Sequence, residues 1–577
     1  MSRTPHQPPA PSITGAAADA VADAAATENL LRCWVRERGL PAPGDGTLTL
    51  ELPASATSVE APVHYWSATG WHRFGAARLA SGTPLAAPAL AALLALETSA
   101  ADPAAVADLT GRVADSVRRV AVFVRERALA PHDPPGTTPF LAAEQALLLG
   151  HPLHPTPKSR EGLSDAEAAA YSPELRGAFP LHWFAADPSV VSADCARATP
   201  LDALMRAYAR REPPPGTVLV PAHPWQAREV RTRPGVRALF DAGLLRDLGP
   251  SGPAWSPTSS VRTLYRADAA VMLKFSLGLR ITNSRRENLR QELVRGLAVH
   301  RLLDAGLGAE LRRAHPGFDV VRDPGWLAVD GPDGAPTGLD VVVRDNPFGA
   351  GDAVACTAGL VSVRPDLPDG RSLLETLVRD LAGRTGRPVH EVAREWYGRY
   401  LDATVVPVLW LYAVYGLGLE AHQQNTLVVL DAEGWPAGGR YRDNQGYYFS
   451  PARSAALYRW VPDVGRDLGT YVDDDVIDER LAYYVGVNNA LGTAGALGAA
   501  GLADERDLLR VLDERLRGLV AEHGPRLRLA GLLRSASVLR CKANLLTRVR
   551  GMDELTGPLS SQSVYVDLAN PLPEALR

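Results

Sequence analysis

Lysine is almost missing from this sequence of 577 residues. Only three of its 61 basic residues are lysines (Lys158, Lys274 and Lys542), and all the others are arginines. A GC-biased coding sequence would favour arginine in this way. Under such a bias a lysine is retained best where the site needs a compact point charge, which a planar guanidinium does not provide. We therefore expect functional roles for Lys158 and Lys274, whereas Lys542 could equally be an ordinary residue of a C-terminal helix.

Cysteine, clustered basic charge and long apolar runs are also scarce. The four cysteines lie far apart, without CxxC or zinc-type spacing, which predicts reduced thiols. A net charge of −4 and the lack of any basic block disfavour nucleic acid as a partner. No apolar run reaches the roughly 20 residues of a membrane span, and the N-terminus lacks the features of a signal peptide. These absences predict a cytoplasmic protein with no membrane partner.

The length of the chain predicts two or three lobes, because a typical domain has about 100–200 residues. Strand-like alternation and helical periodicity both occur, so an α+β fold is expected. Helices are predicted from Ala24 to Arg38, from Pro103 to Leu129 and, with an interruption near Pro407, from Glu391 to Tyr415. We divide the chain into a flexible Ala/Pro-rich arm (1–26), an N-terminal scaffold lobe (27–135), a binding core (136–385) and a C-terminal part that becomes helical (386–577).

The stretch from Pro257 to Arg286 concentrates groups that suit phosphates and carboxylates. It begins with a cluster of hydroxyls and one arginine, continues through a strand-like run that holds Lys274, and ends with paired arginines. Guanidinium forks and hydroxyl donors are the usual partners of such anions. The candidate residues are Thr258, Ser259, Ser260, Arg262, Thr263, Lys274, Thr282, Asn283, Arg285 and Arg286.

A second cationic loop precedes this stretch, in the sequence GHPLHPTPKSREG from Gly150 to Gly162. His151 and His154 are each followed by proline, which excludes a regular helix and predicts a stiff loop. No carboxylate or cysteine stands at zinc spacing, so a phosphate loop containing Lys158 is favoured over a metal site. The similar segment PAHPWQ, around His223, could be either a site or a buried turn.

Polar residues crowd a predicted strand pair in the C-terminal part. Glu420, His422 and Asn425 precede one strand, and Asp443 follows the next. Buried polar groups of this kind need partners. Protein kinases hold Mg²⁺ with an asparagine and a later aspartate, so by analogy Mg²⁺ and a triphosphate are predicted here.

Six motifs in a fixed order resemble the NRPS-independent siderophore synthetases, the aerobactin-synthetase-like family. They are GHPLHPTPKSREG, PAHPWQ, PTSSVRT, KFSLGLRITNSRR, EAHQQN and RDNQG, and they span about residues 140–450. A weaker similarity near the C-terminus, in KANLLTR and ANPL, resembles ferric-siderophore reductases. The resemblance implies a hand-like, three-lobed fold with thumb, fingers and a kinase-like palm, and a homodimer.

The resemblance also implies an activity in iron acquisition. A carboxylate, commonly of citrate, would attack the α-phosphate of ATP, and an amine, hydroxylamine or alcohol would then displace AMP. The implied ATP-binding residues are His154, Lys158, Ser260, Arg262, Thr263, Lys274, Asn425 and Asp443. Thr282, Arg285, Arg286 and His422 would bind the carboxylate, with Lys274, Arg286 and His422 as catalytic residues. Glu420, Asn425 and Asp443 would hold Mg²⁺.

Two other functions are weighed against the ligase. A kinase-like phosphotransferase would produce ADP, but no HRD or DFG motif is present. An iron-release protein would need iron–sulphur cysteines, and only Cys541 lies in the C-terminal region. The acceptor, the choice among citrate, a substituted citrate and 2-oxoglutarate, and the role of His422 as base or ligand all stay open.

Overall fold

A computed structural model describes residues 15–98, 102–552 and 562–577. Its N-terminal part packs three helices against a small antiparallel sheet around a common apolar cluster. The helix Pro103–Leu129 matches its predicted bounds and begins where the Asp102 carboxylate accepts a hydrogen bond from the Ala104 amide at 2.9 Å. The other elements are the helices Gly15–Arg38 and Ala87–Thr98 and the strands Thr47–Leu52, Thr57–Tyr65, Arg73–Phe74 and Arg78–Leu79.

The predicted flexible arm is wrong for residues 15–26, which already belong to the helix Gly15–Arg38. This segment is rich in alanine, the strongest helix former, and its buried alanines Ala18 and Ala22 pack against the long helix Pro103–Leu129. Residues 1–14 of the predicted arm lie outside the described residues. The N-terminal helix therefore starts nine residues before the predicted start.

An eight-stranded antiparallel sheet forms the middle of the molecule. The strand Val271–Phe275 is central in it and fully buried, which agrees with its apolar sequence. In spatial order the strands are Val191–Cys195, Gly325–Asp330, Pro336–Asp345, Val271–Phe275, Thr263–Tyr265, Leu245–Pro257, Phe179–Ala186 and Val218–Ala222. A three-stranded sheet of Ser284–Arg286, Leu277–Ile281 and Arg160–Glu161 lies beside it.

The predicted C-terminal strand pair is an antiparallel hairpin of Thr426–Leu430 and Pro436–Tyr441. It belongs to a four-stranded sheet that also contains Phe318–Val320 and Val354–Cys356. Two short pairs complete the strands: Leu417–Leu419 with Tyr447–Phe449, and Val538–Lys542 with Tyr565–Ala569. The hairpin brings Asn425 beside Arg442, whose amide donates to the Asn425 carbonyl at 3.0 Å.

Helices surround these sheets, and the largest apolar cluster lies among the C-terminal ones. The predicted helix from Glu391 to Tyr415 is present as Val389–Tyr400 and Val406–Tyr415, joined by a π-helical segment at Leu401–Val405. The remaining longer helices are Pro139–Gln145, Asp165–Tyr171, Leu201–Ala209, Pro224–Val230, Pro234–Asp241, Arg290–Leu302, Gly308–Ala314, Leu373–Thr385, Asp474–Leu481, Gly492–Ala499, Glu505–His523 and Arg528–Ser535. Shorter helices span Thr357–Val361, Asn544–Val549 and Pro571–Ala575, and further π-helical segments span Leu303–Leu307 and Ala482–Leu491.

A helix cap links the N-terminal helix to the C-terminal segment. The Glu37 carboxylate accepts hydrogen bonds from the backbone amides of Leu545 and Leu546, both at 2.8 Å, at the start of the helix Asn544–Val549. Leu545 and Val549 complete the N-terminal apolar cluster. The C-terminal segment is thus fixed against the N-terminal helix. No helix in the described part of the chain is both long enough and apolar enough to cross a membrane.

Candidate active site

A cavity of about 1260 Å³ lies between the eight-stranded sheet, the C-terminal hairpin and the N-terminal helix. Every predicted site residue except Arg285 lines it. The cavity therefore unites the predicted nucleotide and carboxylate residues, which come from distant parts of the sequence. Its volume exceeds the roughly 300–1,000 Å³ of a pocket for one small ligand.

Lys274 is the central cation of this cavity. Its ammonium lies 2.6 Å from Oδ1 of Asp443 and also donates to the side-chain carbonyl of Gln445. Burial lowers the pKa of Lys274 to about 8, although the Asp443 charge acts in the opposite direction. Burial alone would raise the pKa of Asp443, but the charges of Lys274 and Arg344 lower it far below its usual value. Both groups are therefore charged at neutral pH.

Arg262 lies on the tight turn that joins Pro257 to the strand Thr263–Tyr265. Its Nη1 donates to the Arg286 carbonyl at 2.8 Å and to Oδ1 of Asn288 at 2.9 Å. The Ser260 hydroxyl accepts from the Thr263 amide at 3.1 Å. Val261, in the same turn, has φ of 66°, a left-handed conformation that is rare for a β-branched residue. Burial lowers the pKa of Arg262 to about 10, so the guanidinium remains charged at neutral pH.

We expect Asn288→Ala to raise the KM for ATP by about tenfold, because one hydrogen bond to a charged group contributes about 1.5 kcal/mol. Asn288 orients Arg262 and receives no predicted substrate contact of its own. Steady-state kinetics with ATP as the varied substrate would measure the change, and Asn288→Asp, which keeps an acceptor oxygen, should retain most of the affinity. An unchanged KM for ATP in Asn288→Ala would contradict this positioning role.

The turn that carries Ser260 is anchored by a buried glutamate that sequence reasoning missed. One Glu144 oxygen accepts hydrogen bonds from the Ser259 amide at 2.8 Å and the Ser259 hydroxyl at 2.7 Å. The other lies 2.7 Å from Nη1 of Arg442, which follows the C-terminal hairpin. Glu144 thereby ties the predicted phosphate turn to the segment that carries Asp443.

The predicted carboxylate residues Thr282 and Arg286 line the same cavity, next to Arg262. Nη2 of Arg286 donates to the Thr282 hydroxyl at 2.7 Å and to the Ile281 carbonyl at 3.1 Å. Like Val261, Thr282 has a left-handed backbone conformation, with φ of 57°. Arg285 is exposed and does not line the cavity, because successive residues of the strand Ser284–Arg286 point to opposite faces. The structure therefore does not bring Arg285 to the site.

The loop with two histidines contributes His151, His154 and Lys158 to the lining of the cavity. His154 lies 3.2 Å from the side-chain oxygen of Asn283, next to Thr282. The Lys158 ammonium is buried, with 3 % of the residue exposed, and donates to the Glu174 carboxylate. Arg160 shares that carboxylate at 2.6 Å. Lys158 thus lines the cavity with its ammonium paired to Glu174, and its role in ATP binding stays a prediction.

Glu420, His422 and Asn425 surround the base of the hairpin. The Glu420 carboxylate accepts a hydrogen bond from the Tyr448 hydroxyl, and burial raises its pKa. The Asn425 side-chain amide donates to the Glu420 carbonyl at 3.2 Å, and Asn425 lines the cavity. Burial lowers the pKa of His422 to about 4, so its imidazole is neutral at pH 7.

Several cavity residues come from the C-terminal region and were not predicted as site residues. Lys542 and Arg480 line the cavity, and the charge of Lys542 contributes to the lowered pKa values of His151 and His422. Asn488 lies 3.1 Å from Nε2 of His151. The rarity of lysine was the one signal in the sequence for Lys542; nothing in the local pattern distinguished Arg480 or Asn488. The C-terminal region thus adds two positively charged side chains to the lining of the cavity.

Comparisons with known proteins identify the family. Residues 139–362 match the model of the "IucA / IucC family", and residues 394–557 match that of the "Ferric iron reductase FhuF-like transporter". The rhizobactin siderophore biosynthesis protein RhbC of Rhizobium meliloti is 39% identical, over 94% of this chain and 96% of that protein. A spermidine-citrate ligase of Bacillus anthracis is 36% identical, over 81% of this chain and 79% of its own length.

The fold agrees with a solved structure of this group. ATP-bound aerobactin synthetase IucA of Klebsiella pneumoniae superposes with a TM-score of 0.85 at 28% identity, over 95% of this chain and 99% of that one. The α+β class, the siderophore synthetase resemblance and the reductase-like C-terminal region are therefore confirmed. The chain belongs to the IucA / IucC family of siderophore-synthesising ligases.

Proposed function

We propose that this ligase adenylates a carboxylate of citrate or of a citrate derivative and condenses it with an amine, hydroxylamine or alcohol. The observation that carries the proposal is the placement of Lys274 and Arg262 on the same cavity as Arg286, Thr282 and His422. Two anions must approach each other for adenylation, and their repulsion has to be neutralised. Lys274, Arg262 and Arg286 supply cations to the one cavity, and Arg262 is hydrogen-bonded to the backbone of Arg286, so the same group of charges can offset both anions.

The steps follow from the chemistry of the groups. Ser260, Arg262, Thr263 and Lys274, with His154 at the loop, would orient the phosphates of ATP, and Lys158, which is paired with Glu174, would contribute less. Thr282 and Arg286 would hold the carboxylate in line with the α-phosphate, so that positioning accounts for most of the acceleration. Pyrophosphate leaves, and the acceptor then attacks the acyl-adenylate and releases AMP. The neutral His422 imidazole can accept the proton that the attacking nitrogen loses.

The predicted Mg²⁺ fits part of its predicted ligand set. Asp443 supplies an ionised carboxylate and Asn425 an amide oxygen, the oxygen donors that Mg²⁺ prefers. Glu420 fits less well, because its carboxylate is bonded to Tyr448 and its pKa is raised. When bound, the ion would neutralise phosphate charge. No group of three or more His, Cys, Asp or Glu side chains suited to a metal occurs among residues 15–98, 102–552 and 562–577.

The thumb, fingers and kinase-like palm, and the homodimer, belong to the same proposal. The fingers correspond to the eight-stranded sheet with Lys274, and the palm to the hairpin with Asn425 and Asp443. The resemblance of this hairpin to the kinase metal site is what favours the runner-up function, a phosphotransferase. The products of ATP distinguish the two reactions.

The test uses citrate labelled with ¹⁸O in its carboxylates, together with ATP and hydroxylamine. Adenylation predicts AMP, pyrophosphate and citryl hydroxamate, with one ¹⁸O transferred to AMP, because the carboxylate oxygen becomes bonded to the α-phosphorus. A phosphotransferase would instead form ADP, and only in the presence of the substrate that it phosphorylates. Citrate-dependent ADP without AMP would overturn the proposal.

The activity should depend on pH through Lys274. Its ammonium is charged below its pKa of about 8, so kcat/KM for ATP should fall as the pH rises through about 8. An unfolded lysine keeps its proton up to about 10.5, so this group makes the free energy of unfolding rise with pH between those values. A pH profile of kcat/KM measures the first effect; a flat profile from pH 7 to 9.5 would contradict it.

A further inference from the structure

The PAHPWQ segment (221–226), for which the sequence allowed either a site or a buried turn, is a buried turn. His223 is 0 % exposed, and its Nδ1 accepts a hydrogen bond from the Trp225 amide at 3.1 Å, which caps the short helix that follows. The imidazole packs edge-on against Tyr171 and Phe179, and burial lowers its pKa to about 3, so it is neutral. The residues that line the cavity in the described part of the chain include none from this segment.

Three segments that line the cavity meet around the indole of Trp225. They are the histidine loop (150–162), the phosphate turn (257–263) and the strand Leu277–Ile281, which leads directly to Thr282. The indole Nε1 donates to the Gly162 carbonyl at 3.0 Å, at the end of the histidine loop. The ring also belongs to one small apolar cluster with residues of the turn and the strand, namely Val261, Leu277 and Leu279.

The backbone of two of these segments is fitted closely to this cluster. Gly162 has φ of 93°, and a Cβ atom there would lie 3.3 Å from Cζ2 of Trp225 and 3.3 Å from Cδ2 of Leu279. Val261 keeps its left-handed conformation, with φ of 66°, inside the same cluster. Such a conformation persists only where the surrounding structure holds it. The paths of the histidine loop and of the phosphate turn therefore both depend on packing around Trp225.

Gln226, the next residue, fixes the helix of Trp225 between the strand Leu277–Ile281 and the eight-stranded sheet. Its side-chain oxygen accepts a hydrogen bond from the Gly278 amide at 2.7 Å, and its side-chain nitrogen donates to the Gly338 carbonyl at 3.1 Å. Arg286 pairs across the same strand, and its guanidinium donates to the last carbonyl of the strand at 3.1 Å. The indole is thus held at a fixed point between the strand pair that carries Arg286 and the phosphate turn.

We propose that Trp225 is a positioning residue for adenylation, which holds the phosphate turn and the carboxylate-binding strand pair in a fixed relative position. This inference rests on the proposed function. The affinity for each substrate depends on local contacts of Arg262 and of Arg286, and these contacts remain when the indole is altered. The indole determines how closely the carboxylate approaches the α-phosphate, and the rate of the chemical step depends on that approach.

The first test replaces Trp225 by phenylalanine, which keeps an aromatic ring and removes the N–H group that binds the Gly162 carbonyl. We expect kcat for citrate-dependent exchange of pyrophosphate into ATP to fall about tenfold, because a small misplacement of two reacting groups lowers the rate strongly. The KM values for ATP and for citrate should stay within about threefold of wild type. A rise in either KM as large as the fall in kcat would assign Trp225 to one substrate site and overturn the proposal.

Trp183→Phe is the matched control for Trp225→Phe. Trp183 is also buried, and its Nε1 donates to the Ser251 carbonyl at the same distance of 3.0 Å, but it belongs to another apolar cluster and does not line the cavity. Both variants lose one buried hydrogen bond, so we expect similar falls in Tm, whereas Trp183→Phe should keep kcat within about twofold of wild type. Equal kcat values in the two variants would leave Trp225 a purely structural role and overturn the proposal.

A double-mutant cycle tests whether Trp225 acts through the phosphate turn. Val261→Ala shortens the side chain that shares the cluster with the indole, and it should lower kcat by itself. If the two residues act together, the double variant loses less kcat than the product of the two single losses. Losses that simply multiply would separate Trp225 from the turn and overturn the inference. Wild-type enzyme that forms no AMP with citrate would instead refute the proposed function itself.

Discussion

Replacing Lys274 by methionine is expected to lower kcat/KM for adenylation by about 10³-fold, the loss typical of removing one preorganised charge from a transition state. The methylene stem is kept, so the strand Val271–Phe275 can stay packed. In the variant Asp443 loses its lysine partner, but Nη2 of Arg344 lies 3.8 Å from Asp443 Oδ1. This nearby charge limits the free-energy cost of the unpaired carboxylate. Citrate-dependent exchange of pyrophosphate into ATP measures the step, and circular dichroism checks the fold. Near wild-type exchange would remove Lys274 from the nucleotide site.

Lys158→Met is the matched control, because Lys158 is as buried as Lys274, with 3 % of either residue exposed. The Lys158 ammonium forms an ion pair with Glu174, which Arg160 also binds. We therefore expect a lowered Tm and a rise of less than about tenfold in the KM for ATP. A loss as large as that of Lys274→Met, without a change in Tm, would show that Lys158 serves ATP directly, as the family motif implies.

Replacing Arg286 by alanine is expected to raise the KM for citrate by about 100-fold and the KM for ATP by less than about threefold. A bond between guanidinium and carboxylate contributes about 1.5–3 kcal/mol, and the change removes it from one substrate only. Steady-state kinetics with each substrate varied in turn measures the difference. Equal effects on both constants would move Arg286 out of the carboxylate site.

Arg285→Ala is the control for Arg286→Ala, since it removes the same charge from the neighbouring residue. Arg285 is exposed and outside the cavity, so both KM values should stay within about twofold of wild type. A large effect on citrate alone would place Arg285 in the site, as the sequence pattern had predicted. The pair of variants therefore tests whether strand alternation separates the two arginines.

Residues that lie close together in the sequence could be placed well before the structure was known. The hydroxyl turn, the strand with Lys274 and the hairpin with Asn425 and Asp443 depend on local patterns and on motifs with a fixed order, and each lines the predicted cavity. The α+β class follows from the same periodicities. The extent of the N-terminal helix was underestimated because an alanine-rich segment has no apolar stripe to reveal it.

Contacts between distant segments could not be derived from the sequence. The bond between Glu144 and Ser259 joins residues 115 positions apart, and that between Lys274 and Asp443 joins residues 169 apart. Nor does a short motif reveal which way each side chain points, so Arg285 was grouped with Arg286. The role of Lys158 was inferred from its rarity, but the sequence does not say that Glu174 neutralises it.

The cap that Glu37 gives to the helix Asn544–Val549 has a consequence for how the enzyme is made. Lys542 comes just before this helix, and the Asn544 side-chain amide donates to the Leu153 carbonyl at 2.6 Å in the histidine loop. A nascent chain still short of these residues lacks one wall of the cavity and the partner of its first helix. The cavity is also lined by Gln562 and Ser563, so the growing polypeptide cannot complete its active site before residue 563 has left the ribosome, and synthesis itself delays the start of ATP consumption.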